Sequence, residues 1–308
     1  MKSGDKPACD PFVSLQITKH CRSTVLPSSR LSTTSMTYSV ALQFAAKTDT
    51  GLVRAHNEDA IELSAEGQAV VLADGMGGYN AGEIASGIAT TVFRSVLEQQ
   101  LMQLQQKGRA ASSKGMQRLI ADAVYAANQQ ILEVARLQPQ YSGMGTTLVA
   151  ALFHHDKVIV AHVGDSRAYR YRRGQLSQIT RDHSQLQEQI DAGLVSPEWA
   201  RFAPNKNLIT RALGVAVQLE VEVHDYQTEV GDIYLLCSDG LSDMLASEQM
   251  SAMLADNDSD LELLCSSLVQ AANDNGGRDN ISVIVVKIDA SLAAPPGWWP
   301  RLIGRFKS

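Results

Sequence analysis

The long helical periods come in back-to-back pairs in this chain, and apart from a short helix capped by Asp182-His183-Ser184 every other regular segment is a short β-rich run. Over residues 82–104, Ile84, Ile88, Val92, Phe93, Val96, Leu97 and Leu101 recur at helical spacing. Over 116–137, Leu119, Ile120, Ala123, Val124, Ala127, Ile131 and Leu132 do the same, after a Gln/Lys/Ser-rich linker at 103–115. A second helix pair is predicted at 247–255 and 259–273. Strand-like runs precede the first pair (38–42, 60–63, 68–73), fill the interval between pairs (146–153, 157–163, 166–172, 175–179, 219–225, 232–237) and follow the second (281–288). Turns are expected at Ala65-Glu66-Gly67, His154-His155-Asp156 and Arg173-Gly174. Regular alternation of strand and helix would mean a doubly wound parallel sheet. Grouped strands and paired helices predict instead an α+β fold, with antiparallel sheets packed on each other and helix pairs outside.

One of these strands runs straight into chemistry. Val70-Val71-Leu72-Ala73 leads to Asp74, with glycines at 75, 77 and 78 before a helix opens near Gly82. A buried strand would hold the carboxylate at its exit, and the glycines let the backbone turn and approach a ligand with no Cβ in the way. A hard divalent cation takes such a carboxylate and a backbone carbonyl as ligands. Taken alone, Asp-Gly after a strand is more often a plain turn.

The pattern recurs, however. Gly164-Asp165-Ser166-Arg167 follows the apolar run 158–163, and Ser238-Asp239-Gly240 follows Ile233-Tyr234-Leu235-Leu236-Cys237. Gly277-Arg278-Asp279-Asn280 precedes the apolar strand at 281–286, and Arg54-Ala55-His56-Asn57-Glu58-Asp59 adds a guanidinium and two more carboxylates. Gathered carboxylates repel one another unless cations neutralise them. Oxygen donors without a paired His or Cys suit Mg or Mn rather than Zn. Two such ions about 3.5–4 Å apart share a water and lower its pKa, which gives a hydroxide for in-line attack at phosphorus. Arg54 is the candidate clamp for two phosphoryl oxygens.

Composition bounds the rest. With 308 residues, 44% hydrophobic and 19% charged, the chain has material for a sizeable core in one large domain or two small ones. A net charge of −6 gives no global reason to bind nucleic acid. No apolar run approaches the ~20 residues of a bilayer span, and no secretory signal is evident. Cys9, Cys21, Cys237 and Cys265 show no C-x-x-C spacing and read as reduced thiols of a cytoplasmic protein, the last two packed inside. Residues 1–37, rich in Ser, Thr, Pro and basic side chains, read as a disordered extension or as lying upstream of a true start at Met36. Residues 291–308 stand outside the domain. There Trp298 and Trp299 beside Arg301, Arg305 and Lys307 suit a membrane surface or a partner groove, and equally a Trp pair packed on the domain or a frayed end.

Taken in order, Arg54…Asn57-Glu58-Asp59, Ala73-Asp74-Gly75-Met76-Gly77-Gly78, Gly143-Met144-Gly145-Thr146-Thr147, Gly164-Asp165-Ser166-Arg167, Ser238-Asp239-Gly240 and Gly277-Arg278-Asp279-Asn280 resemble the metal-dependent protein phosphatase family (type 2C) in its compact bacterial form, over residues 38–289. The resemblance implies a four-layer α-β-β-α sandwich, two packed antiparallel sheets flanked by helix pairs, with a two-metal site at one end. It implies that Asp74 bridges two Mn or Mg ions with the Gly75 carbonyl on the second, and that Asp239 and Asp279 hold the first. Glu58 and Asp59 would act through bound waters, Asp165 would line a third, weaker position, and Arg54 would take the substrate phosphate. Arg54, Asp74 and Asp239 are the implied catalytic residues. The expected activity is hydrolysis of phosphoserine and phosphothreonine in proteins, opposing a serine/threonine kinase. Eukaryotic members carry a His after the Asp-Gly as general acid. Here the position is Met76, which has no proton to give, and a metal-bound water is the expected substitute. Residues 182–214 resemble the family's mobile flap.

Plainer readings stand beside these. His56 reads as a surface or hydrogen-bonding residue, His183 as one that caps or orients the flap, His154-His155 as a turn and His162 as a satisfied core histidine. Arg170, Arg172 and Arg173 read as a solvated strand face, with phosphopeptide binding the lesser alternative. Two other functions remain open at this stage: an inactive phosphatase-fold module that binds phosphoproteins, and a metal-dependent nuclease, which the acidic balance disfavours.

Overall fold

The computed structural model describes residues 42–64, 68–78, 81–108, 112–196, 208–256 and 260–289; the expectations for 1–41, 65–67 and 290–308 lie outside these. Among the described residues, eleven strands form two sheets, antiparallel throughout. One sheet runs, in spatial order, β1 (Leu42–Asp49), β11 (Ile281–Ile288), β10 (Ile233–Cys237), β7 (Arg167–Arg172) and β8 (Gln175–Gln178). The other runs β2 (Asp59–Leu63), β3 (Ala69–Met76), β5 (Leu148–His154), β6 (Lys157–Val163) and β9 (Glu222–Gln227), with the short β4 (Gly145–Thr146) on β3. Helices α1 (Ala81–Gln106) and α2 (Ser113–Leu137) cover the second sheet. Helices α5 (Ser247–Asp256) and α6 (Leu261–Asp274) cover the first. Helix α3 (Gln185–Asp191) lies within the segment 182–214, of which residues 197–207 are outside the described ones, and the single turn α4 (Asp239–Ser242) follows β10.

The central strands read as continuous apolar runs because both their faces are buried. Val70 and Leu72 of β3, Val149, Ala151 and Phe153 of β5, and Ile284, Val286 and Ile288 of β11 meet between the sheets. Their neighbours Val71 and Ala73, Leu148, Ala150 and Leu152, and Ile281, Val283 and Val285 face the helix pairs instead. Each Val, Leu, Ile and Phe among them contributes roughly 1.5–3 kcal/mol by leaving water. Helix starts follow local capping chemistry: Ser112, Ser184 and Asp260 each accept a backbone N–H from three residues downstream, at Gly115, Gln187 and Leu263. The Arg173-Gly174 turn joins β7 to β8 with positive φ at both residues (52° and 81°), the mirror-image turn that a two-residue hairpin needs.

The structure moves two expected features. The expected strand at 38–42 lies outside the described residues but for Leu42; the first described strand is Leu42–Asp49, whose Lys47, Thr48 and Asp49 look loop-like because β1 is an edge strand with one wet side. Strand β9 spans Glu222–Gln227 rather than 219–225. Asp74 does not stand at the exit of its strand: β3 continues to Met76, because β4 pairs with its last two residues.

Candidate metal centre

Antiparallel pairing brings the motif-bearing ends of both sheets to one pole of the sandwich. Asp59 on β2 lies directly opposite Asp74 on β3, on the face turned toward the other sheet. From that other sheet, Cys237 at the end of β10 pairs with Val283 near the start of β11 and with Arg167 at the start of β7. Asp239, Asp279 and Asp165 therefore arrive beside one another. Asp49, the last residue of β1, pairs with Ile281 at this pole too, so the loop carrying Arg54 and Glu58 begins there.

Burial and mutual repulsion dominate the electrostatics. Burial, reinforced by Asp59, Asp239, Asp165 and Asp279, holds the Asp74 carboxyl well above the usual range. Asp239 is raised well above it as well, by burial and then by Asp165, Asp243, Asp279 and Asp59. Burial pushes Asp59 up to about 6, against the pull of the Ser282 and Ser238 hydroxyls. Burial, with Asp182 next, pushes Asp165 up to about 6. Glu58 is raised by burial too, while Arg54 and the Gly82 N–H at the start of α1 oppose the rise. Arg54 reaches in from an exposed loop, its Nη2 donating to Asp279 Oδ2 at 2.7 Å.

Two carboxylate oxygens, Asp59 Oδ1 and Asp239 Oδ1, are buried with no hydrogen-bond partner. A buried acceptor without a donor is costly. Such oxygens, in a cluster of like charges with no paired His or Cys among them, fit a hard divalent cation. The chain packs tightly around the cluster. A Cβ on Gly75 would lie 2.2 Å from the Gly82 carbonyl oxygen and 2.6 Å from that of Glu58. A cavity of about 390 Å³ extends from Asp165 and Asp239 between α3 and the segment holding α4 and α5, with Asp182, Asp243 and Leu186 in its wall.

Sequence reasoning quotes the residues that hold this cluster without assigning them work. Asn280 accepts the Glu58 N–H at 2.8 Å and donates to the Thr50 and His56 carbonyls at 3.0 and 2.9 Å, knitting the 50–58 loop to β11. Ser238 Oγ donates to Asp59 Oδ2 at 2.8 Å and accepts the Ser282 N–H at 3.0 Å. Thr147 Oγ1 accepts the Asp74 N–H at 3.0 Å and lies 2.6 Å from Ser166 Oγ. Arg167 grips Asp182 with both Nε and Nη2. The available signal is a polar residue inside or flanking each apolar run.

The remaining candidates resolve simply. His56 is exposed, with its backbone carbonyl bonded to Asn280. His162 is buried, its Nε2 bonded to the Arg181 carbonyl at 2.8 Å. His155 lies in a two-residue turn after β5. Arg172 is spent on Asp232 and Glu229, and Arg173 on Glu229. Among the described residues, no helix is long and apolar enough to cross a membrane.

A family model described as "Protein phosphatase 2C" matches residues 53–278. The chain is 36% identical over 249 residues to the serine/threonine protein phosphatase PstP of Mycobacterium tuberculosis, covering 81% of this chain but only 45% of that relative. It is 35% identical over 246 residues to the serine/threonine phosphatase stp of Listeria monocytogenes, covering 79% of this chain and 94% of the relative. The crystal structure of PstP superposes with a TM-score of 0.71 at 36% identity, over 81% of this chain and 99% of that one. A second structure, of the PstP catalytic domain in complex with two manganese ions, gives a TM-score of 0.69 at 35% identity, again over 81% and 99%. This chain belongs to the protein phosphatase 2C family.

Proposed function

We propose that this chain hydrolyses phosphoserine and phosphothreonine esters in proteins, using two Mn or Mg ions and a third, weaker one. The reading is carried by the buried, unpartnered oxygens of Asp59 and Asp239 inside a cluster whose carboxylates outnumber the cationic groups beside them. Asp74 would bridge two ions, with the Gly75 carbonyl on the second. Asp239 and Asp279 would hold the first, Glu58 and Asp59 would act through waters, and Asp165 would hold the third. Bound there, the ions would supply Lewis acidity and an activated water. Arg54 keeps guanidinium N–H groups to spare beyond its bond to Asp279, enough to orient a phosphate in line. Met76 borders the site without a transferable proton.

In the cell we infer a cytoplasmic signalling enzyme of bacterial type that reverses a serine/threonine kinase, a reading supported by the phosphatases it resembles. We take residues 38–290 as the catalytic domain, with its flap at 182–214, and 1–37 and 291–308 as lying outside it. An inactive phosphoprotein-binding module would need a broken cluster, and every acidic position is present.

Phosphate release from a phosphothreonine peptide tests the proposal. Release should require Mn or Mg, stop with EDTA, and fall roughly a hundredfold or more in Asp239→Asn. Near wild-type turnover of that variant at saturating Mn would refute it, and peptide binding without release would favour the inactive module.

A further inference from the structure

Beside the carboxylate cluster, two buried imidazoles and a carboxylate form a second polar group. His162 on β6 pairs in register with Glu222 on β9. The His162 and His183 rings stack at 4.7 Å with 14° between planes, and Glu222 Oε2 lies 3.2 and 3.1 Å from their Nε2 atoms. These ligand atoms fall within 4.8 Å of one another, a spacing that would suit a transition metal. The proton inventory argues otherwise. The Gly164 N–H can only donate, so His183 Nδ1, 3.1 Å away, must accept, and the ring's proton sits on Nε2. The Arg181 carbonyl can only accept, so His162 Nε2 carries its proton as well. Arg211 Nη1, 3.3 Å from His183 Nε2, can only donate as well, but a proton on Nε2 satisfies two contacts, the Gly164 N–H and Glu222 Oε2, where a proton on Nδ1 would satisfy only this one. Glu222 Oε2 therefore accepts the His183 Nε2 proton and stands 3.2 Å from His162 Nε2, whose proton goes to the Arg181 carbonyl.

His183 stands where three segments meet. Its Nδ1 and its backbone N–H bond the N–H and the carbonyl of Gly164, the residue before Asp165, at 3.1 and 2.9 Å. Its carbonyl accepts the Thr210 N–H at 2.8 Å, Gln185 N–H donates to the Leu208 carbonyl, and Ser184 bridges to Ile209. Both ends of the flap are thus tied to the turn that carries Asp165. That turn is rigid on its other side: Gly164 has φ +103°, and a Cβ there would lie 2.7 Å from the Thr147 Cβ.

We propose that Glu222 is a positioning residue for the phosphatase reaction, fixing the His183 tautomer so that the imidazole locks both roots of the flap to the Gly164-Asp165 turn. The clamp rests on the function proposed above only for what Asp165 and the flap serve. With Glu222 truncated, the His183 proton loses its acceptor, the ring is free to change tautomer, and the Gly164 N–H then loses its partner.

Two readings on Glu222→Ala and Glu222→Gln test this. Hydrogen–deuterium exchange over 164–168 and 208–213 should run about tenfold faster in E222A, the size of a lost buried hydrogen bond, and at the wild-type rate in E222Q, whose amide oxygen still accepts the Nε2 proton. For a phosphothreonine peptide at saturating Mn, kcat should fall about tenfold in E222A with KM nearly unchanged, and E222Q should recover it. Wild-type exchange and turnover in E222A overturn the proposal, as does equal impairment of both variants, which would make charge rather than hydrogen-bond geometry the cause. Should E222A also lose protection across β10 and β11, both readings are taken on Glu222→Asp, which withdraws the oxygen without emptying the site; wild-type behaviour there overturns the proposal equally. The exchange reading needs no turnover, so a wild-type protein without phosphatase activity would sink the proposed function while still judging the clamp.

Discussion

Asp59 and Asp165, each pushed up to about 6, tie stability to pH in a direction opposite to that of a salt-bridged carboxylate. In the unfolded chain these groups ionise near pH 4. Between about pH 4 and 6 the folded, metal-free protein therefore holds more protons than the unfolded one. Their contribution is fully present below pH 4 and is lost as pH rises through 6. Cations bind the ionised form, so their stabilisation grows with pH. The melting temperature of EDTA-treated protein should fall between pH 5 and 7, and Mn should raise it more at pH 7 than at pH 5. A Mn shift independent of pH would contradict the electrostatic account. Gly75 sets a steric limit at the same place. Its absent Cβ would sit against two backbone oxygens that cannot swing aside, so Gly75→Ala should lose about 1–3 kcal/mol or more in urea unfolding with little change in slope.

At the scale of elements, α2 shows what periodicity leaves out. Asn128 sits among Val124, Ala127 and Ile131 on the buried face of the helix. Its Oδ1 accepts the Gly214 N–H at 2.7 Å, and its Nδ2 donates to the Ala216 carbonyl at 3.0 Å. The helix is thereby tied to the chain leaving the flap. Asn128→Ala strands the buried Gly214 N–H and should cost about 1–3 kcal/mol by chemical denaturation, with faster exchange at 214–216. An apolar stripe at helical spacing predicts α1 and α2 well because burial alone decides them, and it is silent on a polar residue within the stripe. The same reasoning places β5, β6 and β11 almost to the residue, since strands buried on both faces leave uninterrupted apolar runs. It passes over Lys47 and Asp49 of β1, polar residues that an edge strand tolerates. It also misses α4, a single turn too short to show a period.

Across the whole molecule, the candidate ligands Glu58, Asp59, Asp74, Asp165, Asp239 and Asp279 are legible because each adjoins an apolar run that ends abruptly. Their convergence is not legible from spacing, for it depends on which strands become neighbours. Strand β11 lies between β1 and β10, and its pairing with β1 joins segments more than two hundred residues apart in the chain. Residues such as Asn280 and Glu222 act through partners fixed only by that arrangement, so the local sequence marks Asn280 as a polar residue beside an apolar run but does not give its work, and leaves Glu222 unmarked.

The pairing of β1 with β11 has a geometric corollary. Leu42, where the described fold begins, is the register partner of Ile288, next to where it ends. That shared corner lies seven residues up the strand from Asp49 and Ile281, roughly 24 Å from the acidic pole. The first and last strands of the described fold thus share one corner, at the far end from the reactive groups.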